Sequence, residues 1–261
     1  MGIKTPAAHY AALLLGGSAL LLSTAGHAAE CAGAGPGDTM IRVGPLCVDK
    51  YEASVWSNPD GTGTQYGVKK DDYPDGFPHN GNWSTKVYAV SKKGAIPSRY
   101  ITWFQAQQAC AIAGKRLLTN AEWQMAAAGT PEAESDDGKA SCATSKGPVE
   151  TGSRAQCVSK WGANDMGGNV GEWVANWGHS GDEPWSPTGH ASTNDEMYGK
   201  DLVVEVQPSH VQEGDNKLPS AWVRGGTFHD ASGAGIYAID MSRSPTDNAA
   251  VSGTIGFRCA M

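Results

Sequence analysis

One stretch, Trp161 to Trp177 (WGANDMGGNVGEWVANW), limits the possible folds more than any other part of the chain. It packs three tryptophans, Asp165, Glu172 and glycines at 162, 167, 168 and 171 into a short span. Neither the 3.6-residue period of an amphipathic helix nor the two-residue period of a half-buried strand fits it. The glycines predict a tight irregular loop whose backbone carbonyls can turn inward. Carboxylates at its ends and carbonyls between them make the loop rich in oxygen, the ligand type of a hard cation such as calcium. The spacing is not that of an EF-hand, and a glycine-rich turn with two solvated acids is the competing reading.

The N-terminus reads as a secretory leader. Lys4 gives a positive start, Ala11 to Leu22 is an apolar run too short to span a bilayer, and Gly26-His27-Ala28 supplies small residues for cleavage. The expectation is a signal peptide over 1–28, then a flexible lead-in over 29–39 and one domain over 40–261. No cysteine directly follows a lipobox-like run, which argues against a lipid anchor, and no second long apolar stretch predicts membrane insertion. The chain carries 27 acids against 20 Lys and Arg. That acidic balance argues against nucleic acid or an anionic membrane as partner. The partner expected is an extracytoplasmic ligand or protein, met in the periplasm or outside the cell.

Six cysteines, an even count in an exported chain, read as disulfides. Spacing suggests local bridges Cys31–Cys47 and Cys142–Cys157, which leaves Cys110–Cys259 as a long-range tie. The absence of a C-x-x-C pair makes metal binding by these cysteines the weaker reading.

Along the chain, Met40 to Val43 and Leu46 to Tyr51 read as strands around Gly44-Pro45. Residues 57–94 read as a long surface loop, with Phe77 and Trp83 available to pin it. Thr102 followed by Gln105 is a capping-box pattern, so Trp103 to Ala113 is predicted helical, with Gly114 beyond its end. Thr119 with Glu122 repeats the signal before a short helix at Trp123 to Ala128. Residues 129–160 form a disulfide-stapled loop and 178–220 a polar excursion holding a possible strand at Val203 to Val206. Ile255 to Cys259 reads as a final strand. Trp123, Trp173 and Trp177 serve as core anchors or, alternatively, as a sugar-stacking platform.

Several motifs occur in a fixed order: Tyr51-Glu52, Ile101-Thr102-Trp103, Gly114-Lys115-Arg116-Leu117, Ala121-Glu122-Trp123, Asp165 to Trp173, Arg224-Gly225-Gly226-Thr227 and Gly256-Phe257-Arg258. As an ordered set they resemble the formylglycine-generating enzyme family, the sulfatase-modifying factor domain, over roughly residues 40–261. The resemblance implies an α+β fold, a single-domain variant of the C-type-lectin-like fold rich in irregular loops. It also implies a structural calcium held by the side chains of Asp165 and Glu172 and the carbonyls of Gly168 and Val170.

The family's enzymes oxidise a substrate cysteine with copper held by two cysteines, because thiolates select Cu(I). By resemblance those positions fall at Asp230 and Gly235, and neither is cysteine. Cys110 and Cys259 match a structural bridge of the family. A second family bridge would fall at Ala127 and Asp240, and both halves are missing together. Copper is therefore not expected. Other branches of the domain act in siderophore maturation, in sulfoxide synthesis with an added iron-bearing bundle, or as binding modules.

Two classes of function stay open. One is a binding or accessory module that uses the loops at 57–94 and 178–220. The other is an oxidase or metal-dependent modifying enzyme of altered chemistry, with a site drawn from His229, Asp230, Tyr237, Asp240, Ser242 and Arg243. His229 and Asp230 could hold a metal or move protons, but neighbours on an extended segment point to opposite faces, which favours a surface-loop role for them. Arg224 and Arg258 are expected to pair with buried carboxylates such as Glu52 or Glu122. His79, His179, His190 and His210 lie in polar loops without ligand spacing.

Overall fold

The structure, a computed structural model, describes residues 1–2, 31–132, 135–178, 204–205, 220–246 and 253–261. All but residues 1–2 of the leader expected over 1–28, together with His179, His190, His210 and most of the 178–220 excursion, lie outside the described residues. Cys31–Met261 forms one compact unit. Among the described residues no helix is long and apolar enough to cross a membrane.

The first hairpin, β1 (Met40–Val43) and β2 (Leu46–Asp49), turns at Gly44. Then come β3 (Ala53–Trp56), β4 (Gln65–Tyr66) and β5 (Tyr88–Ser91), which pair as the sheet β4-β3-β5. Helix α1 (Trp103–Ile112) and helix α2 (Asn120–Ala127) flank β6 (Arg116–Leu117). Both helices start with the predicted capping boxes, Thr102 with Gln105 and Thr119 with Glu122. The rest is β7 (Gly171–Gly178), β8 (Val204–Glu205), β9 (Ser220–Arg224), β10 (Ile239–Arg243), β11 (Ile255–Phe257) and β12 (Cys259–Ala260). They complete two more sheets, ordered β1-β2-β12-β6 and β11-β7-β9-β10-β8.

Several sequence expectations are corrected. The second half of the Trp161–Trp177 stretch is not loop but β7, paired with both β11 and β9. Its first residues are buried on both faces, so no alternation marks them as a strand. The 57–94 loop contains β4 and β5; β5 is hidden for a similar reason, since Ala89, Val90 and Ser91 are all buried. Phe77 does pin it, but Trp83 is 38% exposed. The single strand expected at 255–259 breaks at Arg258 into β11 and β12, which belong to different sheets. From Cys31 onward the lead-in is bonded to the body, through the Cys31–Cys47 bridge and Asp38.

That anchoring is electrostatic as well as covalent. Asp38 and Asp49 converge on Lys115 Nζ at 2.9 Å each, with all three side chains buried. Asp38 also accepts from the Ser91 and Ala34 amides, and Asp49 from the Cys259 amide. Burial nevertheless pushes the Asp49 carboxyl up to about 6. A carboxyl raised on folding takes up a proton in the folded state, so its contribution is full below the ordinary value of 3.8 and is lost as pH climbs through about 6. We expect the melting temperature in metal-free buffer to fall between about pH 4 and 6, with this one group worth at most about 3 kcal/mol. The Asp49→Asn variant should show a flatter profile. Equal slopes in thermal scans of the two proteins would refute that assignment.

Two apolar cores flank the large sheet. One gathers Phe77, Ile101, Ala106, Trp173, Val223 and Phe257 under α1, and the other gathers Val48, Leu118, Trp123, Met166 and Val174 under α2. Trp123 and Trp173 are core anchors, each 1% exposed. Trp177 is half-buried, in edge contact with Trp103 and Phe104 at 4.8 and 5.8 Å. Three disulfides form, Cys31–Cys47, Cys110–Cys259 and Cys142–Cys157, pairing as the spacing suggests.

Candidate functional site

The loop ahead of β7 is built on left-handed backbone. Asp165, Gly168 and Asn169 have φ of 60°, 72° and 55°. Gly168 has no alternative, because a Cβ there would sit 2.5 Å from the Ala143 carbonyl oxygen. These turns send polar groups inward. Asp165, Asn169 and Glu172 are all buried, together with Glu52 from the start of β3.

Each group has a defined place. Glu172 Oε2 accepts from Trp123 Nε1 at 2.7 Å, and Oε1 accepts from Arg258 Nη2 at 2.8 Å. Arg258 Nη1 and Nη2 also donate to the carbonyls of Asp49 and Asn164 at 2.8 and 2.7 Å. Glu52 accepts from the Val170 amide at 3.0 Å and from Asn169 Nδ2. Asp165 Oδ2 accepts from the Gly152 amide at 2.7 Å, whereas its Oδ1 is buried with no hydrogen-bond partner.

The electrostatics follow from crowding acids away from water. Burial, then the nearby Asp165 and Glu172, hold the Glu52 carboxyl well above its ordinary range. Burial likewise pushes Asp165 up to about 6, against the pull of the Gly152 amide and Arg258. The pocket of acids is short of positive charge.

A hard cation suits part of this set. Asp165 offers an unpartnered buried oxygen on a turn flanked by Gly168 and Val170. Glu172 could join only by sharing an oxygen with Arg258 or Trp123. Among the described residues no three His, Cys, Asp or Glu side chains gather as metal ligands, so any such ion must draw on carbonyl or hydroxyl oxygens too.

The second region is the turn after β9. Asp230 Oδ2 accepts from the Thr227 amide at 2.7 Å, and Thr227 Oγ1 accepts from the His229 amide at 3.1 Å. The chain then enters a short 3-10 turn at Ala231–Gly233. His229 and Asp230 are exposed, with the His229 ring against Phe228 at 4.3 Å. Gly235 is buried, its amide on the Gly225 carbonyl at 3.0 Å. Asp240 pairs with Arg243, and Tyr237 is half-buried between them and the turn in sequence. The Ser242 side chain lies outside the described residues. All six cysteines of the chain are consumed by the three disulfides.

Arg258 meets a buried carboxylate, as expected, with Glu52 also in electrostatic reach, and both arginines are buried. Arg258 pairs with Glu172, 86 residues away. Arg224 donates to the Ala238 and Ile236 carbonyls at 2.9 and 2.8 Å and to Asn120 and Gln124, and lies 4.5 Å over the Trp123 ring. Glu122 closes instead on Arg116 at 2.7 Å. Sequence reasoning missed Asn169, whose side chain ties Glu52 to Val149. A lone Asn between glycine and valine in a glycine-rich turn was the available signal, since Asn tolerates left-handed backbone.

Comparison with known proteins agrees with this architecture. Residues 61–261 match the sulfatase-modifying factor enzyme 1-like domain, and the chain belongs to that family. The major tropism determinant P3c variant superposes with a TM-score of 0.51 at 22% identity, covering 85% of this chain and 51% of that one. The I1 variant gives 0.50 and 21% with the same coverage. These likenesses establish the fold, α+β and C-type-lectin-like, and the chain spans about half the length of those proteins. A serine/threonine-protein kinase, pkn1 of Chlamydia caviae, is 28% identical over 168 residues, which are 61% of this chain but 23% of the kinase.

Proposed function

We propose that this chain is an exported binding or accessory module of the family, stabilised by calcium and without copper-dependent formylglycine formation. The observation that carries the reading is the locking of every cysteine in a disulfide, which leaves no thiolate pair for Cu(I). Asp230 and Gly235, where the family's copper ligands would fall, lie in a turn closed on its own amides. Three disulfides fit an oxidising compartment, periplasmic or extracellular. The 57–94 segment supplies a recognition surface, with Trp83 exposed beside the first turn of α1, where Gly81 packs on Phe104.

Calcium would be held by Asp165 with the carbonyls of Gly168 and Val170, and Glu172 would share its carboxylate between the ion and Arg258. The ion would supply the positive charge that the buried acids lack. The enzyme test is direct. Copper-loaded protein given oxygen and a cysteine-containing sulfatase peptide should leave the peptide mass unchanged. Conversion of that cysteine to formylglycine would overturn the reading. Stoichiometric iron or copper in purified protein would favour an enzyme site around 229–243 instead.

A further inference from the structure

The loop at 165–170 makes up only half of its own surroundings. The other half is the segment closed by Cys142–Cys157, which clamps the loop along its length. The Ala143 carbonyl accepts from the Asn169 amide at 2.6 Å and the Cys157 carbonyl from the Asp165 amide at 2.9 Å. The Gly152 amide holds Asp165, and the Val149 amide holds Asn169 Oδ1 at 2.9 Å. Along this seam each segment holds one buried oxygen with no hydrogen-bond partner, Asp165 Oδ1 on the loop and Thr144 Oγ1 on the disulfide-closed segment. Both residues are 1% exposed. A buried group that forgoes its hydrogen bond destabilises the fold, so an unpaired oxygen on each side of the seam calls for an occupant. The segments meet at Gly168, where Thr144 Cγ2 lies 2.9 Å from the position a Cβ would take.

We propose that Thr144 Oγ1 is a further ligand of the cation, making this a two-segment site; the proposal rests on the calcium reading above. Calcium takes six to eight oxygens. The 165–172 segment supplies four donors, one of them shared with Arg258. A hydroxyl adds coordination without adding charge to a place that already holds Glu52, Asp165 and Glu172 against Arg258 and Arg154. The disulfide-closed segment then has a chemical role, presenting a neutral oxygen to the ion.

The experiment is calorimetric titration of the signal-free full chain with calcium alone, comparing wild type with Thr144→Val, Thr144→Ser and Asp165→Asn. Thr144→Val should weaken binding about tenfold or more, while Thr144→Ser stays close to wild type. Both should melt like wild type in chelator. If Thr144→Val binds like wild type while Asp165→Asn does not bind, a buried water satisfies the hydroxyl and the proposal fails, with the calcium loop intact. If wild type itself binds no calcium, the underlying reading fails as well. Should Thr144→Val not fold, terbium luminescence lifetimes in light and heavy water serve with Thr144→Ala. One more coordinated water than in wild type is expected, and an unchanged count would overturn the assignment.

Discussion

Replacing Arg258 with methionine should destabilise the fold by about 3–5 kcal/mol, the range for removing one partner of a buried ion pair. The guanidinium is 1% exposed and binds Glu172 at 2.8 Å through Nη2. It also satisfies two carbonyls, those of Asp49 and Asn164, which belong to β2 and to the loop. Methionine fills much of the volume but leaves Glu172 charged and buried, with Trp123 Nε1 as its remaining donor. For a domain of this size each kcal/mol is worth roughly 2–4 °C, so the melting temperature should drop by about 6–20 °C. Adding Glu172→Gln should recover part of that loss, because the two changes share one interaction. A single variant within about 1 kcal/mol of wild type in urea unfolding would show that the pair does not hold the sheets together.

Loss of the Cys110–Cys259 bridge should cost as much. The two residues are 149 apart in sequence, and chain-entropy reasoning assigns a closed loop of that length about 5 kcal/mol. Both cysteines are fully buried and join α1 to β12. The short bridges span 16 and 15 residues, for which the same reasoning gives about 3 kcal/mol. Paired Cys→Ala variants should therefore melt in the order Cys110/Cys259 lowest, with the other two pairs higher and close together. Calorimetry under non-reducing conditions ranks them, and a reversed order would refute the entropic account.

What the sequence could reveal depended on range. The capping boxes of α1 and α2 were legible because each is a contact between residues three apart. The bridges were legible because six cysteines leave few sensible pairings once spacing is considered. β7 was hidden because Gly171 to Val174 are buried on both faces, which erases the two-residue period. In the candidate site, Asp165 and Glu172 stood out as acids in a glycine-rich run. Their partners did not, because Arg258, Glu52 and Thr144 reach the loop from distant segments. Only the folded chain shows that Glu172 faces a guanidinium. The exposure of His229 and Asp230 agrees with the surface-loop reading, which an adjacent polar pair in a turn already suggested.

The break of the chain at Arg258 bears on when the protein can fold. β11 and β12 are neighbours in sequence, yet one pairs in parallel with β7 and the other closes the sheet containing β2 and β6. Neither sheet is whole until residues 255–260 arrive, and the same residues bring Cys259 to Cys110. Pairings over such distances carry a large loop-closure penalty and slow folding. Partial chains that lack these residues would hold both sheets open. They would also lack the Cys110–Cys259 tie, so the domain's rigidity depends on its last residues and on an oxidant for the final bridge.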